Sequence, residues 1–302
     1  INLLSELDLA LELKAEGIGL YRSEFPFIVR SDLPSEEEQR LVYERLFDKM
    51  DRHPVWIRTL DVGGDKVLPY LEALQEDNPE LGLRSIRFSL KHRDIFDQQI
   101  RAILRAGTHA PSLGIMFPMI SSIDEFRTAC QTVRQAIAEL TEENLPHHRK
   151  PQLGAMIELP AIVEIIDELA READFLSIGS NDFTQYMLAA DRTNKHVSAY
   201  YQPYHPSVLR ALARIVQRTT SSQVPVSVCG EVAHQEDFVP FLIGIGIRRL
   251  SVDPQFLPAL QRTISAMSVA RAVAYARQLL AASTFAQIEQ VKKEWAWGCD
   301  SA

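Results

Sequence analysis

Short apolar, β-branched runs alternate along this chain with longer stretches in which apolar positions recur at helical spacing. Seven runs read as strands: 17–25 (GIGLYRSEF), 54–62 (PVWIRTLDV), 113–120 (LGIMFPMI), 152–159 (QLGAMIEL), 175–182 (FLSIGSND), 225–232 (PVSVCGEV) and 248–253 (RRLSVD). The segments between them carry helix-start signals. Ser35 precedes Glu36-Glu37-Glu38 and places Glu38 to close a capping box; Ser122 and Glu125 repeat the device before 123–140. Pro160 suits the first turn of a helix over 161–173. Continuous apolar strands separated by helices indicate a parallel sheet covered on both faces.

The chain opens inside a helical pattern, LLSELDLALELKAEG at 3–17. An eighth strand just before Ile1 would complete a closed (β/α)8 TIM barrel, so the expected fold is that barrel without its first strand. The competing arrangement is an open doubly wound sheet, although no dinucleotide-type glycine fingerprint follows any strand. The stretch 63–112 is too long for a plain βα connection. It is expected to form an excursion over one end of the barrel, with its own helix near 91–106. The whole of 1–302 is read as one domain.

Composition narrows the class. The 302 residues are 46% hydrophobic and 24% charged, and no apolar run is long enough to span a bilayer, which fits a soluble globular chain with a full core. A formal charge of −8 with no offsetting basic stripe argues against a nucleic-acid partner. Cys130, Cys229 and Cys299 are widely and irregularly spaced, giving neither a disulfide framework nor a zinc signature. A reducing, cytoplasmic compartment is therefore expected. No signal peptide opens the chain, and Ile1 in place of Met reads as the start of a fragment.

Candidate chemistry collects at the C-terminal ends of the strands, where a parallel barrel carries its site. Arg22 falls near the end of the first run and Arg58 near the end of the second; Glu158 ends the fourth, Asn181 and Asp182 the fifth, and Cys229 with Glu231 the sixth. One such residue is ordinarily a surface ion pair; five strands that do this together are hard to explain by solvation. Arg22 and Arg58, with Arg192 in the loop DRTN, suit a ligand with several anionic oxygens, because the guanidinium fork matches phosphate and carboxylate and keeps its charge. Glu158 and Asp182 offer hard oxygen ligands, too few to cage calcium but enough for Mg²⁺ shared with a substrate. The pattern points to a small phosphorylated acid bound with Mg²⁺.

Cys229 leaves two readings open. A thiol nucleophile needs a histidine partner, and neither His205 nor His234 has a context that marks it as a base. Mg²⁺ would not choose sulfur. A buried apolar filler and an acid/base group remain.

The segments GIGLYRSEFPF, WIRTLDVGGDKVLPY, LGLRSIR, MFPMISS, AMIELPA, DFLSIGSNDFTQYMLAADRTN, YHPSVL and VSVCGEVA resemble, in this order, the phosphoenolpyruvate-binding domain of the enzyme I family, the phosphoenolpyruvate–protein phosphotransferases. The resemblance covers roughly 17–260. The wider group includes pyruvate phosphate dikinase and phosphoenolpyruvate synthase, but Asp61-Val62-Gly63-Gly64-Asp65-Lys66 resembles enzyme I rather than those two. YRSEFPF and GSND look closer to the nitrogen-branch paralogue than to the sugar-transport form. The resemblance implies that Arg22, Arg58 and Arg192 hold phosphoenolpyruvate, with Asn181-Asp182 also at its phosphate, and that Glu158 and Asp182 bind Mg²⁺. It implies that Cys229 donates a proton to C3 of the enolpyruvate left by phosphoryl transfer, with Arg84 and Lys66 in support. It further implies a homodimer, a phosphohistidine on a separate N-terminal domain, a downstream phosphocarrier protein and release of pyruvate.

Three positions depart from the family pattern: Ala233-His234-Gln235 after Val232, Ser251-Val252-Asp253-Pro254 at the seventh strand, and Leu159 after Glu158. The first two border the expected site. Two other functions fit parts of the pattern. A pyruvate-enolate aldolase or lyase would also hold Mg²⁺ on Glu and Asp but needs fewer phosphate clamps, and a dimeric phosphoenolpyruvate sensor would have no use for a carbon proton donor such as Cys229.

Overall fold

A computed structural model describes residues 1–63 and 76–295; Lys66 and Cys299 lie outside the described residues. The chain divides into two compact units, Ile1–Met156 and Ile157–Ala302.

The first unit runs α1 (Glu6–Glu12), β1 (Ile18–Arg22), α2 (Phe25–Ile28), α3 (Glu36–Lys49), β2 (Val55–Arg58), α4 (Ser85–Lys91), α5 (Arg93–Ala106), β3 (Leu113–Phe117), α6 (Ile123–Glu142) and all but the last residue of β4 (Gln152–Ile157). Its strands are parallel in the order β1-β2-β3-β4, with Ile57 opposite Ile115 and Met116 opposite Gly154. Every residue of β2 and β3 is buried, which explains why both read as unbroken apolar runs rather than alternating ones. Both expected capping boxes form, Ser35 with Glu38 at α3 and Ser122 with Glu125 at α6. Phe117 of β3 meets Phe96 of α5 and Phe126 of α6 edge-on, with centroids 6.3 and 6.0 Å apart, and so ties both helices to the sheet.

The first strand stops at Arg22, short of the expected residue 25, because Phe25-Pro26-Phe27-Ile28 folds as a helical turn with proline near its start. The 63–112 excursion holds the helix expected near 91–106, which is α5, and also α4 and a short 3₁₀ turn, Pro79–Leu81.

The second unit runs α7 (Pro160–Glu164), α8 (Ile166–Glu172), β5 (Phe175–Gly179), α9 (Ser180–Leu188), α10 (Pro206–Ser221), β6 (Val226–Cys229), α11 (Val239–Ile245), β7 (Arg249–Leu250), α12 (Leu257–Ala266), α13 (Val269–Ala281) and α14 (Phe285–Trp295). Its strands are parallel in the order β5-β6-β7, with Gly179 opposite Cys229 and Val228 opposite Leu250. The helix expected over 161–173 is two helices, because Ile165 between them is non-helical (φ −113°, ψ 24°). The fifth strand ends at Gly179 rather than 182. Asn181 and Asp182 thus lie in the first turn of α9, one step beyond the strand end where they were expected.

In neither unit does the strand order reverse as it would at the switch point of a doubly wound sheet. The fold class is α/β, that of the (β/α)8 TIM barrel. Among the described residues no helix is long and apolar enough to cross a membrane.

Candidate active site

In the first unit the end of β2 is built around Arg58, which is almost completely buried. Its Nη2 donates to Glu24 Oε1 at 2.6 Å, and its Nη1 lies 2.8 Å from Asp61 Oδ2. The same Nη1 approaches Met156 Sδ at 3.8 Å. Asp61 is shared, for its other oxygen accepts from Arg84 Nη2 at 3.4 Å and from the Ser85 hydroxyl. Arg84 in turn pairs through Nη1 with Glu80. A buried guanidinium between two carboxylates is held firmly, since losing one partner would leave an uncompensated buried charge at a cost of about 3–5 kcal/mol.

The backbone bends to allow this chain of charges. Gly63 has φ +105°, and a Cβ there would lie 2.5 Å from the Arg84 Cβ. Ser85, a non-glycine residue, has φ +54°, a conformation that costs roughly 1–3 kcal/mol unless its surroundings enforce it. The enforcement is visible: Ser85 N donates to Val62 O at 2.8 Å while its hydroxyl grips Asp61. Behind the strand end, the buried Gln99 of α5 accepts from Leu60 N at 2.9 Å and donates to Ser23 Oγ at 3.0 Å and the Tyr43 hydroxyl at 3.3 Å.

Arg22 sits opposite Arg58 in the β1–β2 register, yet the two side chains differ in setting. Arg22 is exposed, and its Nη1 reaches Asn2 Oδ1 at 3.4 Å.

In the second unit the end of β6 is a neutral hydrogen-bonded turn. Cys229 is 4% exposed; its Sγ lies 3.5 Å from Ile178 O, and Ser177 Oγ lies 3.7 Å from Sγ. Ser180 Oγ donates to Cys229 O at 2.7 Å, and Asn181 Oδ1 accepts from Glu231 N at 2.9 Å. The first turn of α9 therefore holds the residues on both sides of Gly230. Gly230 has φ +90°, and a Cβ there would collide with Ser180 Oγ and Asn181 Oδ1, so only glycine lets this turn pass. Glu231 itself is exposed.

Asp182 is buried in the same turn of α9, and its Oδ1 accepts from Arg192 Nη1 at 3.2 Å. Gln185, one turn further on, accepts from Arg192 N at 3.1 Å and so fixes the loop that carries this arginine. Glu158, the first residue after β4, is buried as well. Glu158 and Asp182 are both buried carboxylates, hard oxygen donors of the kind Mg²⁺ takes together with water and phosphate. Near the turn, burial and then Glu231 push the Tyr201 hydroxyl up to about 12. His234 stacks flat on Phe256, with centroids 3.8 Å apart and planes 3° apart. Burial lowers its pKa, while Glu231 and Asp253 pull the other way. His234 of the first departure thus packs on Phe256, two residues past the second departure.

Sequence reasoning singled out Arg22, Arg58, Glu158, Asn181, Asp182, Arg192 and Cys229; Arg22, Arg58 and Cys229 end strands, Glu158 directly follows β4, Asn181 and Asp182 open α9, and Arg192 lies in the loop beyond that helix. It gave Arg84 only a supporting part, although that residue shares Asp61 with Arg58. It missed Glu24, Asp61, Glu80, Ser85, Ser177 and Ser180. All of these but Glu80 stand inside quoted motifs, and that adjacency was the one available signal. An isolated serine or glutamate carries no mark of what it will face.

Comparison with known proteins supplies the frame for this geometry. The family model described as PEP-utilising enzyme, PEP-binding domain matches residues 1–269. The phosphoenolpyruvate-protein phosphotransferase of Priestia megaterium is 43% identical over 269 residues, covering 89% of this chain and 45% of that protein. Its counterpart in Bacillus subtilis (strain 168) is 39% identical over 284 residues, covering 94% and 50%. The chain spans about half the length of the curated relatives it matches. Among solved structures, a citrate lyase from Burkholderia xenovorans LB400 superposes with a TM-score of 0.55 at 16% identity over 96% of this chain and 87% of that one, a likeness of fold alone. With the family model spanning both the arginine cluster and the thiol turn, this chain belongs to the PEP-utilising enzymes and carries their PEP-binding domain.

Proposed function

We propose that the chain is the phosphoenolpyruvate-binding and dimerisation domain of a phosphoenolpyruvate–protein phosphotransferase. In this reading Arg22, Arg58 and Arg192 hold phosphoenolpyruvate, the Asn181-Asp182 turn meets its phosphate, and Cys229 is the acid that completes pyruvate. The observation that carries it is Cys229 at the end of β6, with its sulfur facing a serine hydroxyl and a backbone carbonyl and its turn pinned by Ser180 and Asn181. An inert filler needs no such pinning.

A phosphate monoester carries about −1.5 to −2 charges, and phosphoenolpyruvate adds a carboxylate. Phosphoryl transfer asks a protein mainly for positioning and charge neutralisation. Arg58, held by Glu24 and Asp61, is positioned in advance. Glu158 and Asp182 would hold Mg²⁺, which supplies further neutralisation of phosphate charge when bound. As the phosphorus–oxygen bond to the enol breaks, the phosphoryl group passes to a histidine of a separate N-terminal domain, and from there to a downstream phosphocarrier protein. The enolate then takes the Cys229 proton at C3 and becomes pyruvate, leaving a thiolate that solvent reprotonates.

The chain acts in this reading as a homodimer in the cytoplasm. Exposed Phe25, Ile28, Val29 and Leu33, close together after β1, support a self-association surface. The test is calorimetric titration with phosphoenolpyruvate, with and without Mg²⁺. Binding should require Mg²⁺, vanish in Arg58→Ala, weaken in Arg192→Ala and survive in Cys229→Ala. Loss of binding in Cys229→Ala, with its thermal unfolding unchanged, would sink the proton-donor role.

A further inference from the structure

Among the described residues, the buried face of α5 is apolar except at Gln99. A primary amide removed from water is costly unless its polar atoms find partners. Gln99 meets that condition with buried partners from three other segments. Its Oε1 accepts from Leu60 N at 2.9 Å, while its Nε2 donates to Ser23 Oγ at 3.0 Å and to the Tyr43 hydroxyl at 3.3 Å. Leu60 N can only donate, which fixes the orientation of the amide.

The partners stand at matched places in the sheet. β1 ends at Arg22 and β2 at Arg58, opposite each other in the register. Ser23 is the first residue past β1. On the other strand Thr59 N still reaches across to Met116 O at 2.9 Å, so Leu60 N is the first amide past the ladder. Glu24 directly follows Ser23, and Asp61 directly follows Leu60; these are the two carboxylates paired with Arg58. One amide thus joins both loops that hold this guanidinium, and Tyr43 ties the amide to α3.

We propose that Gln99 is a positioning residue for Arg58: by joining the first residues beyond β1 and β2, it holds Glu24 and Asp61 at the separation that keeps the guanidinium aimed before a ligand arrives. Gln99 acts through the two loops rather than on the ligand. Without it Leu60 N loses its partner and the loops can move apart. Arg58 must then be ordered when a phosphorylated acid binds, which weakens affinity. This inference rests on the reading of Arg58 as a phosphoenolpyruvate-binding residue, and one of its readouts needs no ligand.

The full chain would be compared with three variants. Gln99→Met keeps the volume and removes all three hydrogen bonds, Ser23→Ala is milder, and Leu140→Ala opens a cavity at a buried position in the last turn of α6. Gln99→Met and Leu140→Ala should both lower the thermal midpoint by roughly 2–10 °C. Calorimetric titration with phosphoenolpyruvate and Mg²⁺, well below those midpoints, should then separate them. Binding should be roughly two- to tenfold weaker in Gln99→Met, less affected in Ser23→Ala and unchanged in Leu140→Ala. Gln99→Met combined with Ser23→Ala should bind no more weakly than Gln99→Met alone, because both act through one connection. In the unliganded chain, the Arg58 Nε–H NMR signal should shift and broaden in Gln99→Met and Ser23→Ala but not in Leu140→Ala. Unchanged affinity in Gln99→Met, or an equal loss in Leu140→Ala, overturns the proposal, as does an Arg58 signal that ignores Gln99→Met. If Gln99→Met does not fold, Ser23→Ala decides by the same two measurements. If wild type fails to bind phosphoenolpyruvate, the substrate reading falls, and the Arg58 signal alone settles whether Gln99 positions that arginine.

Discussion

The two units solve the same problem, holding reactive polar groups at the end of a buried strand, by opposite means. The first does it with charge: Arg58 and Arg84 are threaded between Glu24, Asp61 and Glu80, and the backbone takes left-handed turns at Gly63 and Ser85 to bring them together. The second does it with neutral hydrogen bonds: Ser177, Ser180 and Asn181 surround Cys229 and the glycine beside it. The difference follows from what is held. A buried guanidinium needs counter-charge, whatever the cost in backbone strain. A thiol that is to donate a proton needs a fixed direction and few charges near it. The first arrangement should therefore fail steeply when one member is lost, and the second in small steps.

The largest expected effect is at Asp61. Asp61→Ala removes the shared partner of two buried arginines and should cost about 3–5 kcal/mol in chemical denaturation; a loss under about 1 kcal/mol would mean the network is much looser than its geometry. Cys229→Ala comes next in function. Under the proposed function, with a phosphohistidine domain supplied, pyruvate formation should slow by about 10²- to 10⁴-fold, the usual contribution of a general acid, with little change in stability. Gly230→Ala should cost roughly 1–3 kcal/mol, from its positive φ and the collision with Ser180 and Asn181, and should slow pyruvate formation too. A fully active Gly230→Ala would show that the turn can be rebuilt.

The smallest effect concerns His234. His234→Ala removes the flat stack on Phe256 and should cost about 0.5–1.5 kcal/mol, restored by His234→Phe. Its pH dependence has a definite sign. Burial lowers the folded pKa of His234 below the ordinary 6.5, so the unfolded chain binds the proton more readily. Stability contributed here is present above that ordinary value and is lost as pH falls through it toward the folded pKa. His148, also lowered by burial, acts in the same direction. Unfolding measured between pH 5 and pH 8 should show a weaker acid loss in His234→Phe than in wild type, and an identical profile would remove His234 from the balance.

Much of this was legible along the chain. Strand positions followed from unbroken apolar runs because those strands are covered on both faces, and the α3 and α6 boundaries followed from capping boxes that are local by nature. Boundaries were lost where local rules compete. At 180–182 the helix start won over the strand, and at Ile165 a single non-helical residue divided what reads as one helix. Lys66 lies outside the described residues, so its supporting part stays a proposal.

The sequence by itself determined which elements form and which reactive residues stand at their ends, because hydrophobic periodicity, capping and turn chemistry act over a few residues. Tertiary structure alone decided the partners. Glu24 lies 34 positions from Arg58, and Ser177 lies 52 from Cys229. Only folding brings such pairs within hydrogen-bonding range, and burial then makes the pairing compulsory: a guanidinium or thiol removed from water has to find its partners in the protein.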